Sequence, residues 1–133
     1  MGARFLSFWM LLVSVILALI LSACGSQPTG PAQVVESLLQ ALVDKDEARY
    51  VSLTCADWEM DALIEYDAFS LVATTLDGLD CQHTGMEGDA ALVTCQGRIQ
   101  ATYSNEIQTF DLSDRVYRVI PQSGDWLVCG YTR

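Results

Sequence analysis

The sequence predicts an α+β fold in which N-terminal helices pack on a curved four-stranded antiparallel sheet stapled by two disulfides. Three observations carry the prediction. Apolar residues first recur at helical spacing and then, from Ala91 onward, alternate with mostly polar ones. Turn signals at Gly88, at Ser104-Asn105 and at Pro121-Gln122-Ser123-Gly124 cut the alternating part into strands. Four cysteines, Cys55, Cys81, Cys95 and Cys129, follow residue 24, and an even number of thiols in an exported chain reads as a disulfide framework. Helices followed by an antiparallel meander make an α+β domain.

Residues 1–23 stand apart from that domain. Arg4 is followed by an uncharged run from Phe5 to Leu21, the basic start and apolar centre of an export signal. The run approaches the ~18 residues at which a membrane-spanning helix has to be considered. It closes on Leu21-Ser22-Ala23-Cys24, which resembles the lipobox of bacterial lipoproteins. The resemblance implies a signal peptide over 1–23, a diacylglyceryl group on the sulfur of Cys24, and cleavage just before it. The protein is then lipid-anchored on the extracytoplasmic face of the cell membrane or cell envelope. The competing reading is an uncleaved signal anchor with Cys24 an idle thiol, and it too places the rest of the chain outside. Two or more acyl chains, at ~0.8 kcal/mol per buried methylene, hold a protein stably on a bilayer. Residues 24–30 form the lipidated Cys and a short linker. Six linker residues reach at most ~20 Å, which keeps the domain over residues 31–133 close to the headgroups.

Each element has its own signal. Pro31 suits a first helical turn, and Val34, Val35, Leu38, Leu39 and Leu42 repeat at helical spacing to Val43. Asp44-Lys45-Asp46 interrupts, and Asp46 caps a short second helix to about Thr54. Asp57 is placed to cap a third, with Trp58, Ala62, Leu63, Tyr66 and Phe69 on one face. The first strand runs from Leu71 to His83 with a bend near Gly78. The second runs from Ala91 to Tyr103, the third from Glu106 to Ile120 with Phe110 and Leu112 facing Ile99 and Gly97, and the fourth from Asp125 to Tyr131. If the first hairpin centres on Gly88, Cys81 and Cys95 lie equally far from the turn and become cross-strand neighbours. Cys55 is then left to join Cys129. A slip of one residue breaks the argument, so the other two pairings of four cysteines stay open.

Seventeen acidic residues face seven basic ones, for a net charge of −10. With Arg4 removed, six basic residues remain in the exported part. Such a surface argues against nucleic acid, whose binding rests on Lys and Arg, and against electrostatic attraction to anionic lipid; solubility accounts for it. The cysteine intervals contain no Cys-x-x-Cys and fit no zinc motif. The acidic clusters Asp44/Asp46/Glu47, Asp77/Asp80 and Glu87/Asp89 lack calcium-loop spacing. No metal or cofactor is expected.

The segment from Leu38 to Asp46, and the ending Tyr117-Arg118-Val119-Ile120 followed by Gly124-Asp125-Trp126-Leu127-Val128, resemble the nuclear-transport-factor-2-like superfamily, the cystatin-like α+β cone. The resemblance spans about Pro31 to Tyr131. It implies a cone whose pocket, deep in the larger enzymatic members, is reduced or filled in a chain this short.

Candidate catalytic residues are few, and none is assigned. His83, the one histidine, is placed to pair with Asp80 or Glu87, but a lone His at a hairpin end is most simply an exposed turn residue. Relatives similar to ketosteroid isomerase use a buried carboxylate with a tyrosine, which draws attention to Tyr66, Asp67, Tyr103 and Tyr117. Successive helical residues point ~100° apart, so Tyr66 on the apolar face leaves Asp67 solvated. Ser52, Ser70 and Ser113 lack a nucleophile elbow. Gly85 and Gly88 read as turn glycines, and Trp58 and Trp126 as anchors between helix and sheet. The favoured expectation is a non-catalytic binding or interaction module contacting an envelope protein or a small apolar ligand. The alternatives are a structural envelope lipoprotein without ligand and a small-molecule isomerase or hydrolase on the same scaffold.

Overall fold

The computed structural model describes residues 28–133. The export signal, Cys24 and the first part of the linker lie outside the described residues. Helix α1 (Pro31–Asp44) starts on its proline and buries Val34, Val35, Leu38, Leu39, Ala41 and Leu42. It stops at Lys45, whose φ of 62° is left-handed, with the Asp46 amide donating to Ala41 O at 3.0 Å, the arrangement that satisfies a helix's last carbonyls. The Lys45 ammonium donates to Phe69 O and to Thr74 Oγ1, tying this end of α1 to the helix and strand that follow. Helix α2 (Glu47–Ser52) is capped by Asp46, which accepts from the Arg49 amide at 3.1 Å. Helix α3 (Glu59–Ser70) begins after Trp58 without a side-chain cap; the expected Asp57 cap is not made.

Five strands follow: β1 (Ala73–Glu87), β2 (Ala90–Tyr103), β3 (Glu106–Asp111), β4 (Val116–Gln122) and β5 (Asp125–Thr132). All pair antiparallel in one sheet of order β1-β2-β4-β5, with β3 beside β2. The expected sheet of four strands is therefore corrected to five, because the predicted strand from Glu106 to Ile120 breaks at Leu112–Arg115. Asp111 Oδ1 accepts from the Ser113 amide at 2.9 Å and from its hydroxyl at 2.6 Å, and the Arg115 amide donates to Leu112 O. A short acid that satisfies the backbone locally offers the chain a turn in place of a ladder. Both halves still lie along β2, β3 against Arg98–Tyr103 and β4 against Ala91–Thr94.

The break coincides with a sharp bend in the neighbouring pair. Between Asp77 and Asp80 the β1/β2 register shifts, with Gly78 at φ 66°. Gly97 lies against this bend at φ 107°, and a Cβ there would sit 2.7 Å from both Asp77 O and Gly78 O. Only glycine fits so close an approach of two backbones. The Cys81 amide beyond the bulge donates to Glu36 Oε1 on α1 at 3.0 Å. Gly88 makes the hairpin turn at φ 60°, whereas Gly85 lies within β1 at a second register shift and is not a turn residue.

That hairpin sets Cys81 directly opposite Cys95, and the two are bonded. The second disulfide joins Cys55 to Cys129 across 74 residues. Beside it the Cys55 amide donates to Val128 O and the Val128 amide to Leu53 O, each at 2.9 Å, so the segment after α2 covers part of the β5 edge. One core joins the helices to the sheet, with Leu38, Leu42, Tyr50, Ile99, Leu112, Tyr117, Val119 and Val128 fully buried. Among the described residues no helix is long and apolar enough to cross a membrane, and two disulfides fit an oxidising extracytoplasmic compartment.

Candidate functional site

The most unusual chemistry in the interior is an ion pair. The inner face of α3 presents Ala62, Tyr66 and Phe69, and Glu65 falls within the same stripe, three residues after Ala62 and four before Phe69. A carboxylate at such a position needs a partner. Arg115 supplies it: the turn between β3 and β4 delivers this side chain inward, where it is 4% exposed, and its Nη1 donates to Glu65 Oε1 at 2.7 Å. The guanidinium lies 4.3 Å from the Tyr131 ring centre, a cation–π distance, and 3.4 Å from the Tyr117 hydroxyl. Tyr131 also donates to Glu65 Oε1 at 3.5 Å. Tyr117 and Tyr131 are themselves cross-strand partners on β4 and β5.

Burial pushes the Tyr117 phenol up to about 12, against the opposing pull of Arg115. Burial and then the Glu65 charge push Tyr50 well above the ordinary tyrosine value. Burial works against the Arg115 charge, but Tyr117 and Glu65 outweigh it and the guanidinium is held more firmly protonated than usual. What this cluster does is pin α3 to β4 and β5, with every buried polar side-chain atom among the described residues partnered.

Two of the surface clefts among the described residues stand out. One, of about 320 Å³, lies beside β5 between Trp58, Asp61, Leu92, Arg118, Gly130 and Tyr131. Gly130 forms part of its wall at φ 112°, a conformation that favours glycine, and packs beside the Trp58 indole. The other, of about 260 Å³, follows the bend of β1 and β2 and is lined by Asp77, Arg98, Asp111 and Ser113. There Asp77 and Arg98 form an exposed ion pair at 2.7 Å, and the Ser113 hydroxyl and amide hold the Asp111 carboxyl below its ordinary value. Glu65 lines neither cleft.

The residues singled out from sequence do not converge. His83 is exposed and its Nε2 meets Gly85 O at 2.9 Å, while Asp80 accepts from Gln82. Tyr66 is buried against Tyr50, ring centres 5.4 Å apart, and Asp67 is exposed. Tyr103 is half-buried on β2, and of these candidates Tyr117 alone enters the ionic cluster. The hydroxyls of Ser52 and Ser70 donate to the carbonyls of Arg49 and Asp67. Trp58 and Trp126 are half-buried against the core, Trp58 with its ring 6.2 Å from Tyr131. Glu65 and Arg115 were missed. The legible signal was the position of Glu65 on the buried stripe, which demands a cation, but nothing local in the sequence says which one.

No protein-family model and no curated protein matches the sequence. Solved structures do resemble the fold. A SEC-C motif containing protein from Rhodopseudomonas palustris aligns over 80% of each chain with a TM-score of 0.55 at 13% identity. The helical cell shape determining protein Pgp2 from Campylobacter jejuni aligns over 75% of this chain and 38% of its own, with a TM-score of 0.49 at 12% identity. A designed protein with NTF2 in its name aligns over 75% of this chain and 94% of its own, with a TM-score of 0.45 at 14% identity. At 13% identity the likeness to the SEC-C motif containing protein is one of fold alone, and fold does not carry function.

Proposed function

We propose that the chain is an extracytoplasmic lipoprotein, anchored by lipid on Cys24, whose nuclear-transport-factor-2-like domain is a non-catalytic binding or interaction module at the cell membrane or envelope. The observation that carries the reading is the partition of sulfur. Cys55 pairs with Cys129 and Cys81 with Cys95, which leaves Cys24 as the one thiol outside a bridge, directly after Leu21-Ser22-Ala23. The superfamily assignment is supported by the element order, three helices and then a bent antiparallel sheet. The non-catalytic reading is supported by the interior, where Tyr50, Tyr66, Tyr117 and Arg115 occupy the space between helices and sheet and the half-buried Glu65 is neutralised by Arg115. Candidate partners are an envelope protein or a small apolar ligand at a surface cleft.

A purely structural envelope role without ligand is the second reading, favoured by the same filled interior. The test of the anchor is the intact mass of protein purified from its own host. The expected mass begins at residue 24, carries at least two acyl chains and contains no free thiol, and Cys24→Ser abolishes the lipid. Mature protein with an unmodified residue 24 overturns the proposal.

A further inference from the structure

Helix α3 is apolar on two opposite sides. Its inner side faces the core through Ala62, Tyr66 and Phe69. Its outer side presents Met60 at 78% exposure, Ile64 at 65% and, at the helix end, Leu71 at 92%, joined by exposed Ala68. Steps of four and seven residues keep Met60, Ile64 and Leu71 on one line, and Leu71 retains helical backbone angles. Five large apolar side chains are exposed among the described residues, and three of them lie on this stripe. Such clustering marks an interaction surface, whereas scattered apolar residues do not. The rim is acidic: at ~100° per residue Asp61 falls on one side of the stripe and Asp67 on the other, Asp57 lies in the turn just before the helix, all three are exposed, and α3 carries no Lys or Arg.

We propose that the outer face of α3 docks a separate protein that offers an apolar segment flanked by Lys and Arg. Charge selects this occupant. A second copy of a chain with net charge −10 would bring Asp57, Asp61 and Asp67 against their own equivalents. Anionic lipid is repelled for the same reason. Residues 1–27 of the chain itself contain a long apolar run but only one basic side chain, Arg4, too little to answer three carboxylates. A cationic rim on the partner complements all three and raises the rate of encounter. The inference deepens the binding-module reading and rests on it.

The test places a photo-crosslinking amino acid at Ile64 of the full chain in its native host, with the same probe at Gln108 on the exposed face of β3 as a control. The expected result is one dominant adduct at position 64, absent at 108, whose crosslinked peptide is apolar and flanked by Lys or Arg. Reversing the rim with Asp57→Lys, Asp61→Lys and Asp67→Lys, all exposed and outside the core, is expected to cut its yield at least ~10-fold, in line with like-charge juxtaposition costing several kcal/mol. A self-adduct, a lipid adduct, or a peptide without basic flanks at position 64 overturns the docking proposal. An adduct at 108 alone, or no adduct at either position, overturns it while leaving in place a binding module that takes its ligand at a surface cleft. Fractionation of the same cells reports membrane attachment separately.

Discussion

The Arg115 guanidinium and the Glu65 carboxylate are 5% and 15% exposed, and at that burial the asymmetry between breaking a pair and replacing it becomes measurable. Removing one partner strands the other charge, at a cost of about 3 kcal/mol or more, whereas replacing both by apolar groups of similar volume is close to neutral. Arg115→Ala is therefore expected to lower the unfolding free energy by about 3 kcal/mol in a denaturant titration near neutral pH, and Arg115→Met with Glu65→Leu to recover most of it. If the single variant is as stable as the parent, the pair is not what holds α3 to the sheet. The tyrosines beside it predict an alkaline limit. Tyr117 has its folded pKa raised from 10.0 to about 12, and Tyr50 is raised as well. A raised folded pKa favours the protonated form in the native state. Its stabilisation is thus complete below pH 10 and is lost as pH climbs through 12. Unfolding followed by circular dichroism should set in across that window together with phenolate absorbance, and Tyr117→Phe should weaken the dependence.

At the scale of elements, the two disulfides do different work. Cys81–Cys95 links strands already in register over a separation of 14 residues, while Cys55–Cys129 closes 74 residues and fastens the segment between α2 and α3 to β5. By loop entropy the bridges stabilise by about 3 and about 4 kcal/mol respectively. Replacing Cys55 and Cys129 together by Ser should lower the thermal midpoint more than replacing Cys81 and Cys95 together, and the reverse order would count against the clamp. The period change at Ala91 and the glycine at residue 88 made the helices, the first hairpin and its register legible, because each rests on contacts close in sequence. The break in the third strand was not legible. It comes from Asp111 satisfying the Ser113 amide and from the bend that Gly97 permits in β2, one local competition with the ladder and one long-range packing constraint. The ion pair escaped for a related reason: Glu65 and Arg115 are 50 residues apart, and periodicity can place an acid on a buried stripe without naming its partner. The outer apolar line of α3 was likewise hidden, since a helix apolar on both sides looks like an ordinary core helix until its neighbours are known.

For the whole molecule, net charge decides how stability answers to salt. The chain carries −10, and self-repulsion of that size destabilises a compact state. Only two salt bridges join the described residues, one exposed and one buried. Salt weakens the exposed Asp77–Arg98 pair, whose worth is at most about 1 kcal/mol, and barely reaches the buried one. It also screens the unpaired carboxylates, which far outnumber that single pair. Raising ionic strength from about 0.01 M to about 0.15 M shortens the screening length from about 30 Å to about 8 Å. The expectation is a higher denaturation midpoint in the saltier buffer at neutral pH, in contrast to a fold held by surface ion pairs. A lower midpoint would mean that surface pairs dominate over net repulsion.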